Sequence, residues 1–220
     1  MFNKIIFFLF IFSVIANGTL YSIIKNNQTF INTNIDLPYS ETDYIATTLE
    51  KDNIKYKSNL IALGIDKYLI NHIKDEKERN EITDIVLRLI EEKKNHKHLV
   101  LYTLAIAKVE SNFKMVHALN DKSSTIFGLC QVSWYWHKDK LMKEGITKEL
   151  FFNDKYSSFK SGLIVFENYL INNNFNYVKA LEAYNPNANG FTSKYISSIN
   201  REFSRLQLKI MYEILHDNET

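Results

Sequence analysis

Ile82, Ile85, Val86, Leu89 and Ile90 recur at the i, i+3, i+4, i+7, i+8 spacing that gathers apolar side chains on one helix face, while charges of both signs fill the other. Helical patterning of this kind spans about residues 60–94, as one or two amphipathic helices with a break near 74–80. From Leu99 to Val109 the chain reads LVLYTLAIAKV, in which only Thr103 and Lys108 interrupt the apolar character, so this helix is predicted to be buried on nearly every side. Three more helices are expected at 157–172, 177–184 and 192–216. In the first, Leu163, Phe166 and Leu170 share a stripe and Ser157 and Ser158 are available as caps. The run Asn172, Asn173, Asn174 ends it, and Asn185-Pro186 ends the next, because the residue before proline disfavours helix. Residues 120–136 lack a helical period, which fits a turn or short hairpin. Read as an extended segment, Trp134, Tyr135 and Trp136 would alternate between opposite faces, one parity packing and the other facing outward.

The 220-residue chain, 45% hydrophobic and 14% aromatic, can bury one substantial core. Its 27 Lys and Arg against 25 Asp and Glu, with no long basic run, do not make a nucleic-acid signature. Lys4 precedes an apolar run from Ile5 to Ala16, with Val14 and Ala16 spaced like a cleavage signal, so residues 1–16 are read as a secretory signal peptide. The run is short against the roughly 20 apolar residues of a membrane-spanning helix. The protein is therefore expected to be exported, with a membrane tether if the signal stays uncleaved. Residues 17–58, rich in Asn, Thr, Tyr and Ser, are read as a polar leader or linker, residues 59–94 as a helical extension and residues 95–220 as the main domain. Cys130 is the sole cysteine, so no internal disulfide can form; a small buried apolar residue is preferred over a nucleophile. The six His and the acidic residues show no metal-ligand spacing and no Gly-rich phosphate loop occurs, so neither a metal nor any other cofactor is expected.

Glu110 closes the buried helix. Loss of hydration and the negative pole of the helix dipole both disfavour a charged carboxylate there, which should raise its pKa toward neutrality. A proton held at that position meets the requirement for protonating a glycosidic oxygen. The competing reading is a solvated glutamate at a frayed helix end.

The ordered elements Glu110-Ser111-Asn112-Phe113, Ser124-Thr125-Ile126-Phe127-Gly128-Leu129-Cys130-Gln131-Val132 and Ala183-Tyr184-Asn185 resemble the lytic transglycosylase SLT domain of the lysozyme-like superfamily. Gln131-Val132-Ser133 with Trp134 and Trp136, Leu141, Gly145-Ile146-Thr147 and Leu150-Phe151 are especially similar to the small transglycosylases of secretion and conjugation systems, as are an inward Gly162 and a further tyrosine, Tyr195. The resemblance covers roughly residues 96–200. It implies a mainly α, lysozyme-like helical domain with a small hairpin or irregular lobe, behind an N-terminal helical extension. It further implies a periplasmic enzyme that cleaves the MurNAc-GlcNAc bond of peptidoglycan to a 1,6-anhydro product. Glu110 would be the acid and then the base, aided by the substrate's 2-acetamido group. Ser111, Gln131, Tyr184 and Asn185 would contact substrate, although Ser111 could instead fix the local backbone, Tyr184 be a core tyrosine and Asn185 a cap. The implied partners are peptidoglycan strands and a secretion, conjugation or pilus apparatus. Where related lysozymes of animal type carry an aspartate this chain has Ile126, which favours the substrate-assisted route over hydrolysis with two carboxylates; Asp121 and Asp139 remain candidate substitutes. The alternatives are a hydrolytic muramidase and an inactive glycan-binding scaffold.

Overall fold

The computed structural model describes residues 59–93, 96–118, 124–185 and 192–216. The signal and leader expected at 1–58, together with Asp121, lie outside the described residues. Among the described residues are eight helices and one two-stranded hairpin: α1 (59–69), α2 (Glu76–Glu92), α3 (Lys97–Ser111), β1 (Ile126–Phe127), β2 (Val132–Ser133), α4 (Trp134–Lys143), α5 (Lys148–Asn153), α6 (Lys155–Asn172), α7 (Tyr177–Tyr184) and α8 (Thr192–His216). The fold is mainly helical, as the apolar periodicity predicts. Among the described residues, no helix is long and apolar enough to cross a membrane.

The helix starts follow short polar side chains. The Asp75 carboxylate accepts from the Glu78 amide at 2.8 Å, Thr147 Oγ1 from Leu150 at 3.3 Å and Asn176 Oδ1 from Lys179 at 3.1 Å. One cap differs from the sequence reading. Helix α6 begins at Lys155 and is capped by Asp154, whose carboxylate accepts from the amide and hydroxyl of Ser157 at 2.8 and 2.6 Å. A carboxylate has more acceptor capacity than a hydroxyl at a positive helix pole, which leaves Ser158 free for another task.

Helix α3 is packed by α2, α6 and α8, which explains its nearly all-apolar sequence. The Tyr102 ring stacks on Phe166 of α6, with centroids 5.3 Å apart, while its hydroxyl donates to Asn200 Oδ1 of α8 at 2.6 Å. Helices α1 and α2 contribute Ile65, Leu69, Ile82, Val86 and Leu89 to the same buried cluster as α3, α6 and α8. All described residues belong to one compact unit, Ile54–Thr220, in which α1 and α2 share a core with the helices that follow residue 96.

The hairpin pairs Ile126 with Ser133 and Phe127 with Val132, and Gly128–Gln131 form its turn. Beyond it the structure departs from the extended reading of the aromatic trio: Trp134, Tyr135 and Trp136 form the first turn of α4. The Trp134 amide donates to Thr125 O at 2.9 Å, and its indole packs 5.3 Å from Phe151, between centroids. Burial of Trp134 turns the next two rings outward at helical rather than alternating angles.

Candidate functional site

Helix α3 delivers Glu110 to one end of the core and then stops abruptly. Asn112 and Phe113 adopt left-handed backbone conformations, φ +52° and +67°, and their amides return to Lys108 O and Ala107 O at 3.2 and 3.4 Å. Phe113 is buried and locks the exit. Glu110 is thereby held, partly buried, in the last turn of the helix, and loss of hydration pushes its carboxyl from 4.5 up to about 7. One hydrogen bond opposes this rise: the Tyr195 phenol of α8 donates to Glu110 Oε1. Burial, followed by the nearby carboxyl, raises the Tyr195 hydroxyl well above its ordinary value, so Tyr195 remains a neutral donor.

Facing this carboxyl is the hairpin turn, fixed from four directions. Ser111 Oγ lies 2.7 Å from Leu129 O, to which it donates, and accepts from the Lys114 amide at 3.1 Å. Ser158 Oγ of α6 accepts from the Leu129 amide at 3.0 Å. Tyr184 of α7 donates through its hydroxyl to Cys130 O at 2.8 Å. Gln131 Nε2 donates to Gly128 O at 2.8 Å and Val116 O at 2.9 Å. Two glycines allow this arrangement. Gly128 has φ +87°, and a Cβ there would lie 2.0 Å from Ser158 Oγ. A Cβ on Gly162 would lie 2.4 Å from both Cβ and Sγ of Cys130, so the bare backbone of α6 lets the turn sit directly upon it.

Of the residues expected to bind substrate, Ser111, Gln131 and Tyr184 meet at the hairpin turn, and most of their donors serve it. Ser111 ties it to the end of α3, and Tyr184 ties it to α7. Gln131 spends both amide hydrogens on backbone carbonyls, leaving its Oε1 without a hydrogen bond among the described residues. Asn185 is the C-cap of α7, its amide donating to Leu181 O at 3.1 Å. Cys130 is fully buried, and desolvation, followed by the charge of Glu110, pushes its thiol up, opposite to what a nucleophile requires. Asp139 is exposed on α4. Two contributors escaped the site list read from sequence. Tyr195 continues the buried stripe of α8 through Ile199, Glu202, Leu206 and Ile210, and that helical phase is the signal that could have identified it. Ser158 carried only a capping expectation.

A cavity of about 730 Å³ lies elsewhere, between α1 and α8, lined by Lys67, Tyr68, His72, Arg205, Leu208 and Tyr212 among others, with neither Glu110 nor the turn in its wall. No protein-family profile, curated protein or solved structure matches the chain.

Proposed function

We propose that this protein is a peptidoglycan lytic transglycosylase of lysozyme-like fold, exported to the periplasm, where it cleaves the β-1,4 bond between MurNAc and GlcNAc. The observation that carries this reading is a single desolvated carboxyl, Glu110, poised at about 7 with a neutral tyrosine on one oxygen and a rigid polar turn beside it. Near neutral pH a sizeable fraction of Glu110 is protonated, and the same group is a competent base once it has lost that proton. In the first half-reaction the Glu110 proton passes to the glycosidic oxygen as the C1–O bond breaks, and the 2-acetamido group of the substrate stabilises the developing positive charge at C1. In the second, the Glu110 carboxylate takes the proton of the C6 hydroxyl while O6 attacks C1, closing the 1,6-anhydro ring and restoring the acid. No water is consumed.

Within this scheme Gln131 Oε1 accepts a hydrogen bond from a sugar amide or hydroxyl, while Ser111 and Tyr184 hold the turn in register with the carboxyl. Tyr195 positions Glu110 and stabilises its ionised form. Local opening of the wall, in the service of a secretion, conjugation or pilus apparatus, is the role that suits such an enzyme. Digestion of purified sacculi, with the released fragments separated and weighed, tests the reading. Muropeptides ending in 1,6-anhydro-MurNAc are expected; fragments with reducing ends would identify a muramidase, and absence of release a glycan-binding scaffold.

A further inference from the structure

Helix α8 carries two apolar stripes, and the core uses one. Ile199, Leu206 and Ile210 are buried, whereas Leu208, Met211, Tyr212 and Leu215 recur at i, i+3, i+4 and i+7 and are 38% to 64% exposed. That spacing ordinarily marks a helix face covered by another element. On α1, Leu63 and Ile70 are exposed about one turn before and after Lys67, whose ammonium lies 6.0 Å from the centroid of the Tyr212 ring. Between the two helices runs the cavity of about 730 Å³, with Tyr68 and His72 on the α1 side and Leu208 and Tyr212 on the α8 side. Its shape is built in. A Cβ on Gly64 would lie 2.6 Å from Ile210 Cα, so α1 and α8 meet backbone to backbone there, and the Tyr68 and His72 rings pack with centroids 4.9 Å apart and against Phe113. The charges of α8 are sorted by sign. Both of its carboxylates, Glu202 and Glu213, are buried and paired, with Arg205 and Lys67 at 2.8 Å each, while Lys194, Arg201, Arg205 and Lys209 are exposed. Lys209 lines the cavity and makes no ion pair among the described residues.

We propose that the groove between α1 and α8 docks an acidic amphipathic helix of a partner protein, its apolar stripe seated on Leu208 and Tyr212 and its carboxylates facing Arg205 and Lys209. Two helices side by side form a trough that a third helix fills, its anchors at the same i, i+3, i+4, i+7 spacing, whereas a bilayer presents no ridge to enter it. The sign of the rim selects the partner. Cations that face solvent without a local carboxylate attract an acidic flank, and they oppose a second copy of this chain, because a symmetric pairing would set Arg205 and Lys209 against their own counterparts. A groove already shaped by Gly64 and by the Tyr68 and His72 rings spares the cost of ordering it on binding. Neither Glu110 nor the hairpin turn lies in the cavity wall, so this docking site stands apart from the reading of that carboxyl.

The probe is a synthetic peptide of about 18 residues, long enough to hold a helix, with leucines at the i, i+3, i+4, i+7 positions and glutamates on the flanks. Two controls accompany it: one with lysines in place of the glutamates, and one with the same composition in scrambled order. By calorimetry, the full-length protein is expected to bind the glutamate peptide with a Kd of about 10 μM and each control at least about tenfold more weakly. Lys209→Glu is expected to weaken binding about tenfold and to flatten its dependence on salt, and Leu208→Glu to abolish it. Both variants should melt with the wild type and treat sacculi as it does, since both side chains are exposed and lie about 20 Å along α8 from Tyr195. Equal binding of the three peptides, or of none, overturns the docking site. Sedimentation with phosphatidylglycerol vesicles that Leu208→Glu removes, without binding of the glutamate peptide, assigns the face to a bilayer and overturns it too. A dimer seen in the ultracentrifuge that Leu208→Glu dissociates and the glutamate peptide does not displace assigns the face to a second copy, with the same consequence.

Discussion

At pH 8 the fold must hold Glu110 ionised where its surroundings raise the carboxyl from 4.5 to about 7. Between those values the folded chain binds more protons at this position than the unfolded chain, so stability falls as pH rises through the window, and the penalty is complete above it. Its ceiling is about 3 kcal/mol. Glu110→Gln removes the charge with little change in shape, so the variant is expected to melt above the wild type at pH 8 and to lose that advantage near pH 4. Equal melting temperatures across the range would mean that Glu110 is solvated. Under the proposed function the protonated carboxyl is the active form, so kcat/KM for digestion is expected to fall as pH rises through about 7. The Tyr195 hydrogen bond opposes the upward shift, so Tyr195→Phe should move the descending limb to higher pH as well as slow digestion. A residue that only packs α8 against α3 would leave the limb where it is.

Helix α6 and the hairpin turn approach so closely that a single methyl group should separate them. In Gly162→Ala the new Cβ would overlap Cys130 Cβ and Sγ at 2.4 Å, and such overpacking costs about 1–3 kcal/mol. The expected result is a melting temperature lower by several degrees, with an accompanying loss of activity because the displaced turn carries Gln131; an unshifted melt would show that the turn can move aside freely. These elements also show which features were legible in sequence. Helices α7 and α8 and the end of α6 are local events, written as Asn and Asn-Pro stops and a recurring apolar stripe, and their bounds emerge from the sequence. Helix α4 does not. Its opening WYW has aromatic side chains that favour strands, and Ser133 makes no side-chain capping bond, so the local signal contradicts the packing that decides the conformation. The short α5 was likewise missed: six residues give little period to read, although Thr147 caps it. The candidate site divides in the same way. Glu110 and the Gly128–Gln131 turn are visible because a helix end and a turn are local, whereas Tyr195 meets Glu110 across 85 positions and Ser158 meets Leu129 across 29. Those partners are chosen by the arrangement of α6 and α8 against α3, which residue spacing does not encode.

Across the whole molecule, the helices preceding α3 are structural members of the unit that holds the site. The Tyr68 hydroxyl of α1 donates to the buried Glu202 of α8 at 3.2 Å, Arg205 supports the same carboxylate at 2.8 Å, and Lys67 pairs with Glu213 at 2.8 Å. Removing residues 1–94 would strip Ile65, Leu69, Ile82, Val86 and Leu89 from the core and leave Glu202 without its α1 partner. A chain beginning at residue 95 is therefore expected to lack cooperative thermal unfolding and to be digested rapidly by proteases; a cooperative melt would show that α3 to α8 suffice. Helix α8 links these features, since one of its faces seals α1 while Tyr195 at its start reaches Glu110. Under the proposed function that carboxyl is the sole acid and base of wall cleavage. The most direct test incubates wild type and Glu110→Gln with purified sacculi and measures released muropeptides and protein retained on the sacculi. The expected outcome is 1,6-anhydro fragments from the wild type, none from the variant, and equal retention of both; undiminished release by Glu110→Gln would overturn the proposed role of Glu110.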